Sequence, residues 1–166
     1  MIHDDILVTI NELSNTITSQ HIPPLGQNTS EIISSLSVVP EDQATLEGAE
    51  FAAAEVLIPP PNKAFPSTLV YASNRNEGTN EDPRGDSIAI FTLDADGKLE
   101  IVNQFFTGLR QVRGMEFGGP DKRYLVASGL VGDGGVAVFE RVGQGAEFVE
   151  VARNGDILNL ASFVWV

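Results

Sequence analysis

Residues 61–97, PNKAFPSTLVYASNRNEGTNEDPRGDSIAIFTLDADG, decide the fold because their landmarks return in the same order further along the chain. The landmarks and their later copies are Pro61-Asn-Lys and Pro120-Asp-Lys, Ala72-Ser73 and Ala127-Ser128, Ile88-Ala-Ile-Phe91 and Val136-Ala-Val-Phe139, and Gly97 and Gly145. The copies lie 59, 55, 48 and 48 residues downstream, so the unit repeats with connecting loops of variable length. Such internal similarity is typical of a repeat architecture.

Each repeat consists of short runs rich in Val, Ile and Phe that are separated by turns. The chain contains 16 Gly and 9 Pro in 166 residues, and they fall between the apolar runs. This pattern predicts strands, and helical periodicity is nowhere sustained. We therefore predict an all-β protein whose repeats are four-stranded antiparallel propeller blades. A β-sandwich built from similar hairpins is the structural alternative.

The repeat predicts how one propeller domain, residues 1–166, divides into blades. The predicted parts are a partial blade of three strands at 6–39, a short helix at 43–51, full blades at 52–106 and 113–153, and a lone closing strand at 162–166. Closed propellers have about four to eight blades. We therefore expect the carboxy-terminal part of a larger propeller, with open blade edges that favour self-association.

Composition excludes several classes of protein. The net charge of -13, from 10 Lys+Arg against 23 Asp+Glu, disfavours a nucleic-acid partner. No apolar run approaches the roughly 18 residues of a membrane span. With no Cys and two His, the chain lacks the usual ligands of a zinc site, and we expect neither a metal nor a cofactor. The lack of a basic leader with an apolar core predicts a cytoplasmic protein, and a secreted parent stays open.

Two pairs of polar residues follow strands at equivalent positions of successive repeats. Asn11-Glu12 follows the strand 6–10, and Asn74-Arg75 follows the strand 69–73. In a propeller, equivalent strand ends of neighbouring blades lie near a shared channel, so Glu12 and Arg75 are expected to converge although 63 residues separate them. The alternatives are two solvated loop residues or a structural ion pair.

Glu55 and Arg113 occupy nearly the same place in two successive repeats. Glu55 lies among alanines and aliphatic residues in the run 52–58, and Arg113 opens the strand 113–117. A carboxylate in such surroundings is either paired or faces a site, because burying it alone is costly. Pairing with a nearby arginine would satisfy both interpretations.

Six stretches, taken in order, resemble the lactonase family of seven-bladed propellers. They are Leu7-Val-Thr-Ile-Asn-Glu-Leu13, Ala53-Ala-Glu55, Leu69-Val-Tyr-Ala-Ser-Asn-Arg75, Gly85-Asp-Ser-Ile-Ala-Ile-Phe91, Arg113-Gly-Met-Glu-Phe117 and Ser162-Phe-Val-Trp165. The family includes 6-phosphogluconolactonases and fungal 3-carboxy-cis,cis-muconate cyclases, and the chain is more similar to the fungal cyclase branch. The resemblance covers nearly the whole chain and implies a fragment of about three blades from a seven-bladed parent.

The resemblance implies a lactonizing enzyme of aromatic catabolism, in the β-ketoadipate pathway. Glu12 and Arg75 match two of the family's proposed catalytic positions, with Glu12 as general acid/base and Arg75 anchoring a carboxylate. Arg113 and Glu55 are weaker candidates for binding a small polycarboxylate substrate. The family's catalytic His and second Arg would precede Met1, so we expect this chain alone to be inactive or nearly so. The alternatives are a 6-phosphogluconolactonase-like hydrolase and a non-catalytic binding module.

Overall fold

Three antiparallel four-stranded sheets form the structure, a computed structural model that describes residues 1–28, 30–132, 134–157, 160, 162, 164 and 165. The first sheet contains β1 (Ile2–His3), β2 (Ile6–Asn11), β3 (Thr16–His21) and β4 (Ile32–Ser37). The second contains β5 (Phe51–Leu57), β6 (Leu69–Asn76), β7 (Ser87–Leu93) and β8 (Leu99–Phe106). The third contains β9 (Arg110–Gly118), β10 (Tyr124–Val131), β11 (Gly135–Val142) and β12 (Glu147–Asn154).

Each sheet pairs its strands in the order of the chain, as propeller blades do. We call the sheets blades 1, 2 and 3. The repeated runs Ile88–Phe91 and Val136–Phe139 lie in β7 and β11, the third strands of blades 2 and 3. The prediction of an all-β protein made of antiparallel four-stranded blades is confirmed. None of the described residues forms a helix long and apolar enough to cross a membrane.

The two middle strands of blade 2, β6 and β7, are buried on both faces because the blade packs between the other two blades. Along β7, Ile88 and Ile90 belong to the core shared with blade 3, whereas Ala89 and Phe91 belong to the core shared with blade 1. Successive side chains of a strand point to opposite faces, so a continuous apolar run supplies both cores. Every residue of β6 is buried for the same reason.

Two details of the first half of the chain differ from the sequence-based expectation. Blade 1 has a fourth strand, Ile2–His3, which pairs with β2, so the blade begins before residue 6. Two residues are too short to show an alternating pattern, which is why the sequence does not reveal this strand. The predicted helix at 43–51 is wrong, because this segment forms turns up to the start of β5 at Phe51.

The last predicted element lies after the end of blade 3. The closing strand expected at 162–166 falls partly outside the described residues, and the indole ring of Trp165 stacks on the ring of Tyr124 with 6.4 Å between centroids. The short helical segments of the described part are two single 3-10 turns, Pro120–Lys122 and Gly143–Gly145.

A buried hydrogen bond joins blade 1 to blade 2 and yields a testable prediction. The Ser19 hydroxyl is fully buried and donates to the carbonyl oxygen of Gly97 at 2.6 Å. The substitution S19A leaves that carbonyl without this donor and is expected to lower the free energy of unfolding by about 1–2 kcal/mol. Urea denaturation measures the change, and the exposed S14A variant is the control. Equal stability of S19A and S14A would contradict the prediction.

Candidate functional site

A cleft of about 580 Å³ opens where strands of the three blades meet. Its walls come from the ends of β2 and β6, from the middle of β5 and from the start of β9. The residues that line it are Met1, Ile10, Glu12, Ala53, Ala54, Glu55, Val56, Arg75 and Arg113. All four side chains singled out from the sequence therefore lie in the walls of one cleft.

Arg75 is the most buried charged group of the cleft, with 5% of its surface exposed. Its Nη2 group donates to the Glu12 carboxylate of blade 1, and its Nη1 group donates to the Glu77 carboxylate at 2.6 Å. The Glu12 and Glu77 side chains are 59% and 42% exposed, so solvent reaches both acids. The two carboxylates fix the orientation of the guanidinium and offset the cost of burying it.

Glu55 lies at a β-bulge in the inner strand of blade 2. The register of β5 against β6 shifts between Ala53 and Val56, so the two residues in between face one residue of β6. A bulge bends its strand and changes the direction of the side chain it carries. The Glu55 carboxylate accepts a hydrogen bond of 3.0 Å from the backbone N–H of Met115 in blade 3. The expected pairing of Glu55 with an arginine is thus replaced by a backbone hydrogen bond across the two blades.

Burial raises the pKa of the Glu55 carboxyl above its ordinary value. The N–H of Met115 lowers this pKa, and the negative charge of Glu116 raises it further. Desolvation is the largest of the three effects because it disfavours the charged form. Glu55 therefore holds its proton more tightly than a solvated glutamate does, and it can donate or accept a proton closer to neutral pH.

Arg113 lies at the equivalent bulge of blade 3. The register between β9 and β10 shifts between Ser128 and Gly129, and Arg113 is the extra residue of β9 at that shift. The Arg113 side chain is exposed, whereas Arg75 is buried. The two cations thus differ in their surroundings, since Arg75 is held by two acids and the Arg113 side chain reaches solvent.

Sequence reasoning missed three residues that support this arrangement. Glu77 is the second acid on Arg75. The Ser73 hydroxyl accepts from the N–H of Glu55 at 3.1 Å and donates to the Val112 carbonyl at 3.3 Å, so it connects the two bulges. Asp86 is a buried acid at the start of β7. Only Asp86 has a signal in the sequence, an acid between Gly85 and a long apolar strand.

The cleft combines two guanidinium groups with two carboxylates. The cations can bind an anionic group and stabilise negative charge that develops on an oxygen. The carboxylate of raised pKa can move a proton. No group of three or more His, Asp or Glu in the part of the chain that the structure describes could hold a metal ion. The two guanidinium groups and the carboxyl group of raised pKa support anion binding and proton transfer.

Residues 3–159 match the sequence model of the family described as "Lactonase, 7-bladed beta-propeller". The match covers nearly all of the chain and includes all three blades. A comparison with curated proteins gives no match.

Three solved bacterial structures share the fold. A protein from Lactobacillus plantarum superposes with a TM-score of 0.72 at 17% identity, over 95% of this chain and 40% of its own. A Bacteroides fragilis protein, provisionally assigned as a 6-phosphogluconolactonase, gives 0.68 at 16% identity over 95% and 38%. One from Bacteroides uniformis with the same provisional assignment gives 0.63 at 21% identity over 88% and 36%. The chain spans about two-fifths of the length of these structures.

Proposed function

The chain belongs to the lactonase family of seven-bladed β-propellers, and from this membership we propose that its cleft takes part in opening the lactone ring of a small anionic acid. The observation that carries the proposal is Glu55, a partly buried carboxyl group of raised pKa that lines one cleft with Arg75 and Arg113. Hydrolysis of an anionic lactone needs a group that moves a proton and cations that bind the substrate.

In the proposed reaction, Glu55 acts as general base toward a water molecule. The water oxygen forms a bond to the lactone carbonyl carbon, its proton passes to the Glu55 carboxylate, and the ring C–O bond breaks. The departing ring oxygen then takes the proton from Glu55 and becomes a hydroxyl group, which restores the Glu55 carboxylate. Arg75 and Arg113 bind the anionic part of the substrate and offset the negative charge that develops on the carbonyl oxygen. Glu12 holds Arg75 in place and is the second candidate for proton transfer.

A phosphorylated sugar lactone is the substrate class that the comparisons favour. Two of the similar structures carry provisional assignments as 6-phosphogluconolactonases, which supports a hydrolase over the cyclase expected from the sequence. The carboxymuconate cyclase remains a second candidate because two arginines and a proton-moving glutamate line the same cleft. In that reaction one carboxylate of the substrate adds to a conjugated double bond, and a proton is delivered to carbon.

A direct comparison of ligands tests the proposal. Isothermal titration measures binding of 6-phosphogluconate and of 3-carboxy-cis,cis-muconate to the 166-residue chain, because binding depends on residues that the chain contains. Parallel assays follow acid release from 6-phosphogluconolactone and loss of the absorbance of the muconate. We expect 6-phosphogluconate to bind more tightly. Tighter binding and turnover of the muconate would favour the cyclase, and binding of neither ligand would overturn both functions.

Replacing Arg75 tests whether it anchors the anion. The substitution R75Q removes a charged hydrogen-bond donor, which is worth about 1.5–3 kcal/mol. We therefore expect the affinity for 6-phosphogluconate to fall by about 10- to 100-fold. The fold should survive because Glu12 and Glu77 reach solvent and do not become buried unpaired charges.

The control for this substitution is R123Q. Arg123 is also paired with a glutamate, Glu140 at 3.1 Å, but it is not among the residues that line the cleft. The two variants remove the same charge from the chain, so R123Q shows how much of the effect comes from net charge alone. Equal affinities of R75Q and R123Q would contradict the anchoring role.

A further inference from the structure

Asp86 is a buried carboxylate that joins two neighbouring blades. It is 6% exposed and lies immediately before β7 of blade 2. Its Oδ1 atom accepts a hydrogen bond of 3.0 Å from the backbone N–H of Asn76, and its Oδ2 atom accepts one of 3.1 Å from the N–H of Val112. The first donor belongs to β6 of blade 2 and the second to β9 of blade 3.

Both donors are direct neighbours of the two arginines of the cleft. Asn76 follows Arg75 in β6, and Val112 precedes Arg113 in β9. A single carboxylate therefore binds the backbone beside each of the two cations. Asp86 is not among the residues that line the cleft, so it does not reach the substrate itself.

The backbone of Asp86 strengthens the same junction. Its N–H donates to the Leu109 carbonyl at 2.8 Å, and its own carbonyl accepts from the Thr107 N–H at 3.0 Å and from the Thr107 hydroxyl at 2.9 Å. Asp86 is thus bonded to the connection between β8 and β9 as well as to β9. These bonds fix the start of β9 against blade 2.

The start of β9 has an irregular backbone that needs such support. Gln111 has a positive φ of 54°, and the bulge that carries Arg113 begins two residues later. A bulge disrupts the ladder of hydrogen bonds, and a buried N–H that loses its ladder partner needs another acceptor. The Asp86 carboxylate supplies that acceptor at Val112.

Desolvation dominates the electrostatics of Asp86, and its hydrogen bonds offset part of that cost. Burial raises the pKa of the Asp86 carboxyl to about 6, and the backbone N–H groups of Asn76, Val112 and Gln111 and the charge of Arg75 lower it. A buried carboxylate is costly unless it is hydrogen-bonded. Removing it would leave the N–H groups it binds without their acceptor.

We propose that Asp86 is a positioning residue that sets the spacing between Arg75 and Arg113, so that both guanidinium groups reach the same anionic substrate. The proposal rests on the proposed function of the cleft. It assigns Asp86 no contact with the substrate and no proton transfer. Its effect is transmitted through the backbone of β6 and β9.

The substitution D86N tests the proposal in the 166-residue chain with 6-phosphogluconate as the probe. The amide of Asn is as large as the carboxyl group, but it is uncharged and has one acceptor oxygen instead of two. We expect the affinity to fall about tenfold, because a misplaced binding group loses much of its contribution. In proton–nitrogen NMR spectra, the amide signals of Asn76 and Val112 should move upfield as their hydrogen bonds weaken.

A control substitution and a double substitution separate positioning from a loss of stability. D82N removes another acid of the loop between β6 and β7. The Asp82 carboxylate binds the side chains of Arg84 and Gln43 and does not bind β6 or β9, the strands that carry Arg75 and Arg113. We expect D82N to bind the probe as the unmodified chain does. R113Q is expected to weaken binding in the unmodified chain and to add little in the D86N background, because the two residues act through one geometry. Additive effects of D86N and R113Q would overturn the proposal.

The outcomes also separate this proposal from the proposed function. If the unmodified chain does not bind the probe, the proposed function fails, and the positioning role for that site fails with it. If the chain binds and D86N binds equally well, only the role of Asp86 is overturned. Should D86N not fold, hydrogen exchange in the unmodified chain decides, since Asn76 and Val112 should be protected to a similar degree. Rapid exchange at either amide would overturn the proposal.

Discussion

The substitution E55Q is expected to lower the rate of lactone opening by about 10²- to 10⁴-fold, the range typical for removal of a general base. Glutamine has the size of glutamate, and its amide oxygen can still accept the hydrogen bond from Met115 N–H. The variant therefore removes the ability to take up a proton and preserves the bulge. Acid release from 6-phosphogluconolactone, corrected for spontaneous hydrolysis, measures the rate. The inactivity expected from the sequence rests on the His and second Arg of the cyclase, whereas the proposed lactone opening uses Glu55, Arg75 and Arg113, which this chain contains.

The pH profile distinguishes this role from a merely structural one. A general base must be deprotonated, so the rate falls as the pH falls through the pKa of Glu55. Because burial raises that pKa, the fall should begin at a higher pH than for an ordinary glutamate. This fall in rate at low pH should be absent in E55Q. It should move to lower pH in E116Q, since the charge of Glu116 contributes to the raised pKa.

The stability of E55Q should change in the opposite direction from its activity. The folded state holds the Glu55 proton more tightly than the unfolded state does, so the free energy of unfolding falls as the pH rises through the raised pKa. Above that range, E55Q lacks the desolvated charge and should unfold at a slightly higher temperature than the unmodified chain. A loss of rate accompanied by a matching loss of stability would contradict the assignment of Glu55 as the base.

The sequence predicts the parts of the site that depend on the repeat. Glu12 and Arg75 lie at the ends of equivalent strands, and the blade repeat alone is enough to expect them side by side. The structure places them in an ion pair. The repeat also relates Glu55 to Arg113, which lie at equivalent bulges of β5 and β9. Order and spacing therefore locate all four residues without any knowledge of contacts.

The contacts between blades could not be predicted in this way. The two bulges exist only in the pairing of β5 with β6 and of β9 with β10, and a single strand gives no sign of its register. The same holds for the bond from Met115 N–H to Glu55, which spans 60 residues and joins a backbone group to a side chain. Backbone donors carry no residue-specific signal, so the partners of Glu55 and Asp86 appear only in three dimensions.

Packing between blades 2 and 3 sets the geometry of the site, and F139A is expected to cost about 3–5 kcal/mol of the free energy of unfolding. Phe139 is 1% exposed and lies in the core shared by the two blades. Its ring contacts Phe105 of blade 2 edge-on, with 5.0 Å between centroids, and Phe148 of blade 3 at 6.5 Å. The truncation leaves a cavity at this junction. Urea denaturation measures the loss, and V149A, at a position 53% exposed on β12, should change stability little.

The same substitution should weaken the binding of 6-phosphogluconate at temperatures where the chain is still folded. Glu55 belongs to blade 2 but is held by the N–H of Met115 in blade 3, and Asp86 connects the same two blades. A shift of one blade against the other therefore changes the distance between Arg75 and Arg113, although Phe139 lines no part of the cleft. Unchanged affinity in a destabilised F139A variant would show that the hydrogen bonds of Asp86 and Glu55 maintain the site without the aromatic core. A loss of affinity that V149A does not share would show that the core and these hydrogen bonds position the arginines together.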